Sequence, residues 1–219
     1  QRATTPEYAA HAIVARMADA HVECPTPGGG SRPVRISSPD RVMWPQDGIT
    51  KLELATYLRD VGAAFLRRVS GRPMTLQRFP TGIDGEEFYS KNPPKGLPTD
   101  VRTVTMTYPS GRKHPQLVVE EIATAVWAVQ MNTVTFHPWP VRATDTPHAL
   151  DQPDEVRIDL DPQPGRGLRD AVEAAYLLRE VLADAGLTGF PKTSGNRGVH
   201  VYCPIAPRRE FLDVRHGVI

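Results

Sequence analysis

A chain of 219 residues with a formal net charge of +1, 40% hydrophobic and 23% charged residues has ordinary soluble composition and length for one large domain. No apolar run approaches a membrane span and no basic-then-apolar leader opens the chain, so no membrane partner is expected. Cys24 and Cys203 lack the spacing of a disulfide framework or a zinc site, which points to a reducing cytoplasm, and any polyanionic partner must be met by a local basic patch.

Thr4 and Glu7 have capping-box spacing before an Ala-rich run, which predicts a helix over 4–23. "CPTPGGGSRP" (24–33) reads as a linker, making residues 1–30 an appendage and 31–219 the main domain. A strand over 33–38 precedes a second capping box, Thr50 and Glu53, which opens a helix to about Arg68. Strands are predicted over 74–79 and 86–91, and a hairpin over 101–108 and 114–120. Ile122, Ala123, Val126 and Trp127 recur at helical spacing and predict a buried helix over 120–131, followed by a strand over 133–137. A strand around 154–161, a helix over 168–185 with Gly186 at its C-terminal end, and two strands around a glycine-flanked turn complete the chain. Strands and helices mix without strict alternation, so the expected class is α+β.

In "DEVRIDLDPQPG" (154–165), Val156, Ile158 and Leu160 alternate with Arg157, Asp159 and Asp161. Alternation puts both aspartates on one face, about 7 Å apart along the chain. They are either the polar face of a half-exposed strand or ligands for a hard cation such as Mg²⁺ or Mn²⁺. In "KTSGNRGVHVYCPI" (192–205), Ser194, Arg197 and His200 surround a turn whose backbone N–H groups could cradle phosphates; a purely geometric hairpin fits equally. His137, in "TFHPWP", sits at a strand end before two prolines and reads as a packing or capping residue ahead of a catalytic one. Phe88 and Tyr89 are either core or a stacking surface for single-stranded bases. Arg41 and Lys51 lie near the start of the 51–68 helix, whose free N–H groups suit a terminal phosphate, although ordinary surface charge is the simpler reading of each.

Taken in order, "SPDRVMWPQDGITKLELATYL", "RFPTGIDGEEFYSKNPP", "WAVQMNTVTFHPWP", "DEVRIDLDP" and "KTSGNRGVHVYCPI" resemble the polymerase domain of bacterial DNA ligase D and its stand-alone relatives, in the archaeo-eukaryotic primase superfamily. The resemblance implies a primase-polymerase fold of mixed and antiparallel sheets flanked by helices. It implies that Asp159 and Asp161 are catalytic and hold Mn²⁺ or Mg²⁺ in a two-metal site. Ser194, Arg197 and His200 would hold the phosphates of a nucleoside triphosphate, with His137 contributing. Arg41 and Lys51 would take a DNA 5′-phosphate, and Phe88 and Tyr89 would stack on the template. The family's third, strand-borne aspartate has no match before Ile219, since Asp213 falls in a helical segment, so the catalytic core is expected to be C-terminally incomplete.

The function so implied is template-directed nucleotidyl transfer, filling gaps or extending ends during DNA break repair in the bacterial cytoplasm, at the nucleoid. Partners would be DNA with a gap or break and a 5′-phosphate, nucleoside triphosphates, an ATP-dependent DNA ligase and other end-joining or repair proteins. The alternative is a module that binds DNA ends or gaps without polymerising.

Overall fold

Along 20–25 the chain alternates outward His21 and Glu23 with buried Val22 and Cys24, the period of a strand. The computed structural model describes residues 18–146 and 148–218. Its elements are β1 (Ala20–Pro25), β2 (Ser31–Ile36), β3 (Val42–Trp44), β4 (Ile49–Thr50), α1 (Lys51–Asp60), α2 (Gly62–Val69), β5 (Pro73–Arg78), β6 (Phe88–Ser90), β7 (Thr103–Thr107), β8 (Lys113–Val118) and α3 (Ile122–Gln130). These are followed by β9 (Thr133–Pro138), β10 (Glu155–Leu160), α4 (Leu168–Asp184), β11 (Phe190–Thr193), β12 (Val199–Pro204) and α5 (Phe211–His216). The class is α+β, as expected.

Three expectations are corrected here. The helix predicted over 4–23 lies largely outside the described residues, and its last four positions belong to β1. The supposed linker is a hairpin: β1 and β2 pair antiparallel from Ala20–Ile36 to Pro25–Ser31, and Thr26 N–H donates to Gly30 O at 3.0 Å. Val22, Cys24, Val34 and Ile36 enter the same core as α1 and α3, so the hairpin belongs to the main domain. The Gly/Pro-rich composition marked a turn, which uses the same residues as a linker. The helix predicted from 51 to 68 is two helices meeting at Val61. A Cβ on Gly62 would stand 2.8 Å from Ile122 Cγ1, so the glycine lets α2 lie close to α3.

A five-stranded sheet is built around β5, with β9 on one side and β6 and β8 on the other; β7 continues from β8. Its inner face presents Met74, Leu76, Leu117 and Phe136 to α3. That helix is apolar nearly all round and buried accordingly. A second, three-stranded antiparallel sheet, β10–β12–β11, packs Val156, Val199, Val201 and Cys203 against Ala171 and Leu182 of α4.

The two sheets are joined by a buried ionic network. Arg72, at 2% exposure, donates to Asp154 at 2.6 and 2.9 Å and to Glu155 at 3.2 Å. Arg142 reaches Asp154 at 3.0 Å, and Arg68 reaches Glu155 at 3.1 Å from a partly exposed position. Removing one partner of such a pair leaves an uncompensated buried charge. Arg72→Met is therefore expected to destabilise the fold by about 3–5 kcal/mol in urea unfolding. Arg68→Ala, whose guanidinium is largely solvated, should cost about 1 kcal/mol or less.

Candidate active site

The polar face of the small sheet is set by strand register. Arg157 pairs with Tyr202 and Asp159 with His200, so these four side chains stand on the face opposite α4. His200 Nε2 lies 3.4 Å from Asp159 Oδ1. Lys192 pairs with His200 from β11, which extends the row across all three strands. Asp161 follows one residue beyond the end of β10 and is exposed, like Asp159.

The turn between β11 and β12 is closed by Ser194. Its N–H donates to Gly198 O at 3.0 Å, and its Oγ accepts from Asn196 N–H at 3.2 Å and Gly198 N–H at 3.0 Å. Three of the turn amides expected to meet phosphates, those of Ser194, Asn196 and Gly198, are thus already engaged, and the Ser194 hydroxyl keeps its own O–H to donate. Gly195 takes φ +95°, a conformation suited to glycine. Gly198 has a different reason: a Cβ there would fall 2.6 Å from Asp161 Oδ1, 3.0 Å from Leu160 O and 3.3 Å from Ser194 Oγ. The glycine is where the acidic strand end and the serine turn close on each other. Arg197 is exposed at the turn.

Among the described residues, no group of three or more His, Cys, Asp or Glu side chains could hold a metal ion. The available donors are the carboxylates of Asp159 and Asp161. Oxygen donors suit Mg²⁺ or Mn²⁺, which keep several waters and take substrate phosphates, so the set fits a hard cation with most of its shell from outside the protein. A cavity of about 420 Å³ lies elsewhere: α4, β11 and β12 line it with Ala175, Tyr176, Pro191 and Val199, on the face away from Asp159.

Residues 50–218 match the family described as LigD, primase-polymerase domain. The chain belongs to that family. It is 35% identical over 184 residues to the multifunctional non-homologous end joining protein LigD of Pseudomonas aeruginosa, covering 83% of this chain and 21% of that protein. It is 30% identical over 181 residues to the bifunctional non-homologous end joining protein LigD of Bacillus subtilis, covering 81% of this chain and 28% of that protein. A solved polymerase domain from Mycobacterium tuberculosis ligase D in complex with DNA matches with a TM-score of 0.72 and 29% identity, covering 78% of this chain and 61% of that one. The chain therefore spans about a quarter of the length of these two LigD relatives.

Within this LigD polymerase fold, the other site residues lie on the large sheet and beside it. His137 pairs with Thr75, and its Nε2 is 3.0 Å from Gln77 Oε1; its ring lies 5.4 Å from that of Tyr89. Burial against these neighbours, reinforced by the Arg157 guanidinium and opposed by Glu87, holds its pKa below the usual imidazole value. Arg157 also donates to Pro138 O, which ties the end of β9 to the acidic strand. Phe88 and Tyr89 are both exposed and face opposite ways, with Arg78 4.9 Å over the Phe88 ring. The core reading of this pair does not hold.

Arg41 and Lys51 come together, but not on an open helix end. Arg41 donates to Pro80 O at 2.7 Å and Asn132 Oδ1 at 3.3 Å. Lys51 is 2% exposed and donates to Ser37 O at 3.0 Å. The expected free N–H groups are taken: those of Lys51, Leu52 and Glu53 donate to Arg41 O, Pro39 O and Thr50 Oγ1. The loop before α1 folds back over its N-terminus and meets those donors internally. The ionic network of Arg72, Asp154 and Glu155 carried no sequence signal beyond unusual charge at the start of β10. Gly198 was visible only as one of two turn glycines.

Burial, with Arg41 and Arg35 adding repulsion, pushes the Lys51 ammonium down to about 8. The unfolded value is about 10.4, so between the two the unfolded chain holds a proton that the native chain has released, and stability rises with pH. Cys24 works the other way: burial pushes its thiol up to about 11, so its contribution falls as pH rises above about 8.5. Comparison with Lys51→Met cancels the cysteine. From about pH 7 to pH 10 the wild-type chain should gain about 2–3 kcal/mol relative to Lys51→Met in urea unfolding.

Proposed function

We propose that this chain is the nucleotidyl-transferring part of a non-homologous end joining system, adding nucleotides to a primer end at a gap or break, opposite a template. The observation that carries this reading is the meeting of Asp159, Asp161, His200 and the Ser194 turn at the ends of two paired strands, in a chain of the LigD polymerase family.

Asp159 and Asp161 would hold a divalent cation, Mn²⁺ or Mg²⁺, which when bound supplies charge neutralisation at the transferring phosphate. The Ser194 oxygen, accepting two backbone N–H bonds, has its own O–H left to donate to a phosphate oxygen. Arg197, exposed at the same turn, offers a guanidinium to the triphosphate. His200 stands beside Asp159 and restrains the carboxylate facing the reacting phosphate. His137, its pKa lowered, is neutral at about pH 7 and offers a hydrogen bond to the nucleotide without adding charge. Tyr89 and Phe88 present ring faces on which template bases stack. Arg41 and Lys51 concentrate positive charge below the loop over α1, the place for a 5′-phosphate at the far side of a gap. The partners would be an ATP-dependent DNA ligase, which seals the filled gap, and further end-joining proteins.

Primer extension on a gapped, 5′-phosphorylated template with Mn²⁺ tests the reading. The chain should incorporate nucleotides, and Asp159→Ala or Asp161→Ala should lower the rate by roughly 100-fold or more. Gly198→Ala should cause a comparable loss in a chain that still folds cooperatively, because its Cβ displaces the Asp161 carboxylate. Incorporation that survives loss of both aspartates removes the mechanism. Gap binding without incorporation by the wild-type chain makes end recognition its function.

A further inference from the structure

The outer face of the large sheet carries, beside Tyr89 and His137, side chains to which the reaction proposed above gives no part. Thr75, Gln77, Tyr89 and His137 share this face by register, opposite the residues packed on α3. Beside them, Tyr108 and Trp139 meet edge to face at 5.2 Å and 84°, and Trp139 in turn meets Phe211 at 6.1 Å. Lys91 Nζ lies 4.8 Å above the Tyr108 ring and has no carboxylate partner among the described residues. Lys91, Tyr108 and Trp139, together with Tyr89 and His137, border a shallow cavity of about 310 Å³.

The floor of this shelf is preorganised. Gln116 is fully buried, and its Nε2 donates to Tyr108 Oη at 2.6 Å and to Thr75 Oγ1 at 3.3 Å. Because Tyr108 Oη accepts from Gln116, its own O–H is left to donate outward. The Gln116 Oε1 has no hydrogen-bond partner, an uncommon state for a buried amide. Charge on this face is mostly positive, from Lys91 and Arg157; Glu87 is held at the edge by Gln77 at 2.6 Å.

We propose that Lys91, Tyr108 and Trp139 form a contact for single-stranded nucleic acid, taking the template strand after it leaves Tyr89. Ring faces interleaved with an unpaired cation are what an unpaired strand uses: bases stack without sequence preference and phosphates meet the ammonium. The contact rests on the function proposed above for its partner, but not on the acidic site for its chemistry.

The test uses the full chain carrying Trp44→Phe and Trp127→Phe, which leaves Trp139 as its sole tryptophan. Titration with oligo(dT) should quench Trp139 fluorescence to saturation, whereas polyphosphate, which has charge but no bases, should not. Lys91→Glu should weaken oligo(dT) binding by roughly 5- to 10-fold and lower the salt slope by about one. Tyr108→Leu should weaken it by roughly 5- to 100-fold. If that variant melts early, Lys91→Glu, at an exposed position, carries the test. The same quenching should appear in the Asp159→Ala, Asp161→Ala double variant. Quenching without nucleotide incorporation would overturn the catalytic reading and leave this contact standing. Incorporation by a chain whose Trp139 is not quenched, with oligo(dT) affinity unmoved by Lys91→Glu, would overturn the contact.

Discussion

Arg72 is the residue on which the arrangement of the two sheets depends. Its guanidinium, carried one residue before β5, is buried between the large and small sheets, where Asp154 and Glu155 receive it. A planar, permanently charged group with fixed donor directions suits this place, because it spans two carboxylates at once. Desolvating three charged groups is costly, so the network adds less to stability than its number of bonds suggests. What it adds is position: the first residue of β10 is held against the large sheet, and the rest of the strand runs from that point to Asp159.

β10 is thus divided along its length and across its width. Its start carries buried acids satisfied by arginines, and its end carries open acids beside the serine turn. One face is apolar and packs on α4; the other holds Arg157 and Asp159. Arg157 links the divisions, contacting Glu155 behind it and Pro138 O across the junction. Through that carbonyl the end of β9, which carries His137, and the acidic strand are kept in a common frame. Any site assembled from two sheets needs such a frame, because its geometry is sensitive to displacements of about 0.5 Å.

Lys51 shows the other use of burial. It is a charged residue at a helix start that does not face solvent but holds the Ser37 carbonyl and raises the positive potential around Arg41. With a pKa of about 8 it keeps most of its charge at neutral pH, so burial lowers its proton affinity without abolishing the local field.

Much was legible in the sequence. Period-two alternation located β10 and β12 and put Arg157 and Asp159 on one face, and the Thr50–Glu53 capping box located the start of α1. The glycines around Ser194 marked the turn, and the ordered motifs pointed to the family. These are local signals, written within a few residues of the feature they describe. Register and burial were decided only in three dimensions. Nothing near Asp159 names His200 as its neighbour; that follows from antiparallel pairing across a long intervening helix. Nor does the string from Asp154 to Asp161 say which acids are neutralised inside and which stay open, since all four are the same chemistry. The difference lies in Arg72, Arg68 and Arg142, brought to one end of the strand by the large sheet, and in Gly198, which leaves room for Asp161 at the other. Sequence determined which residues could do the chemistry; tertiary structure decided which charges are compensated, because compensation depends on partners that only folding brings near.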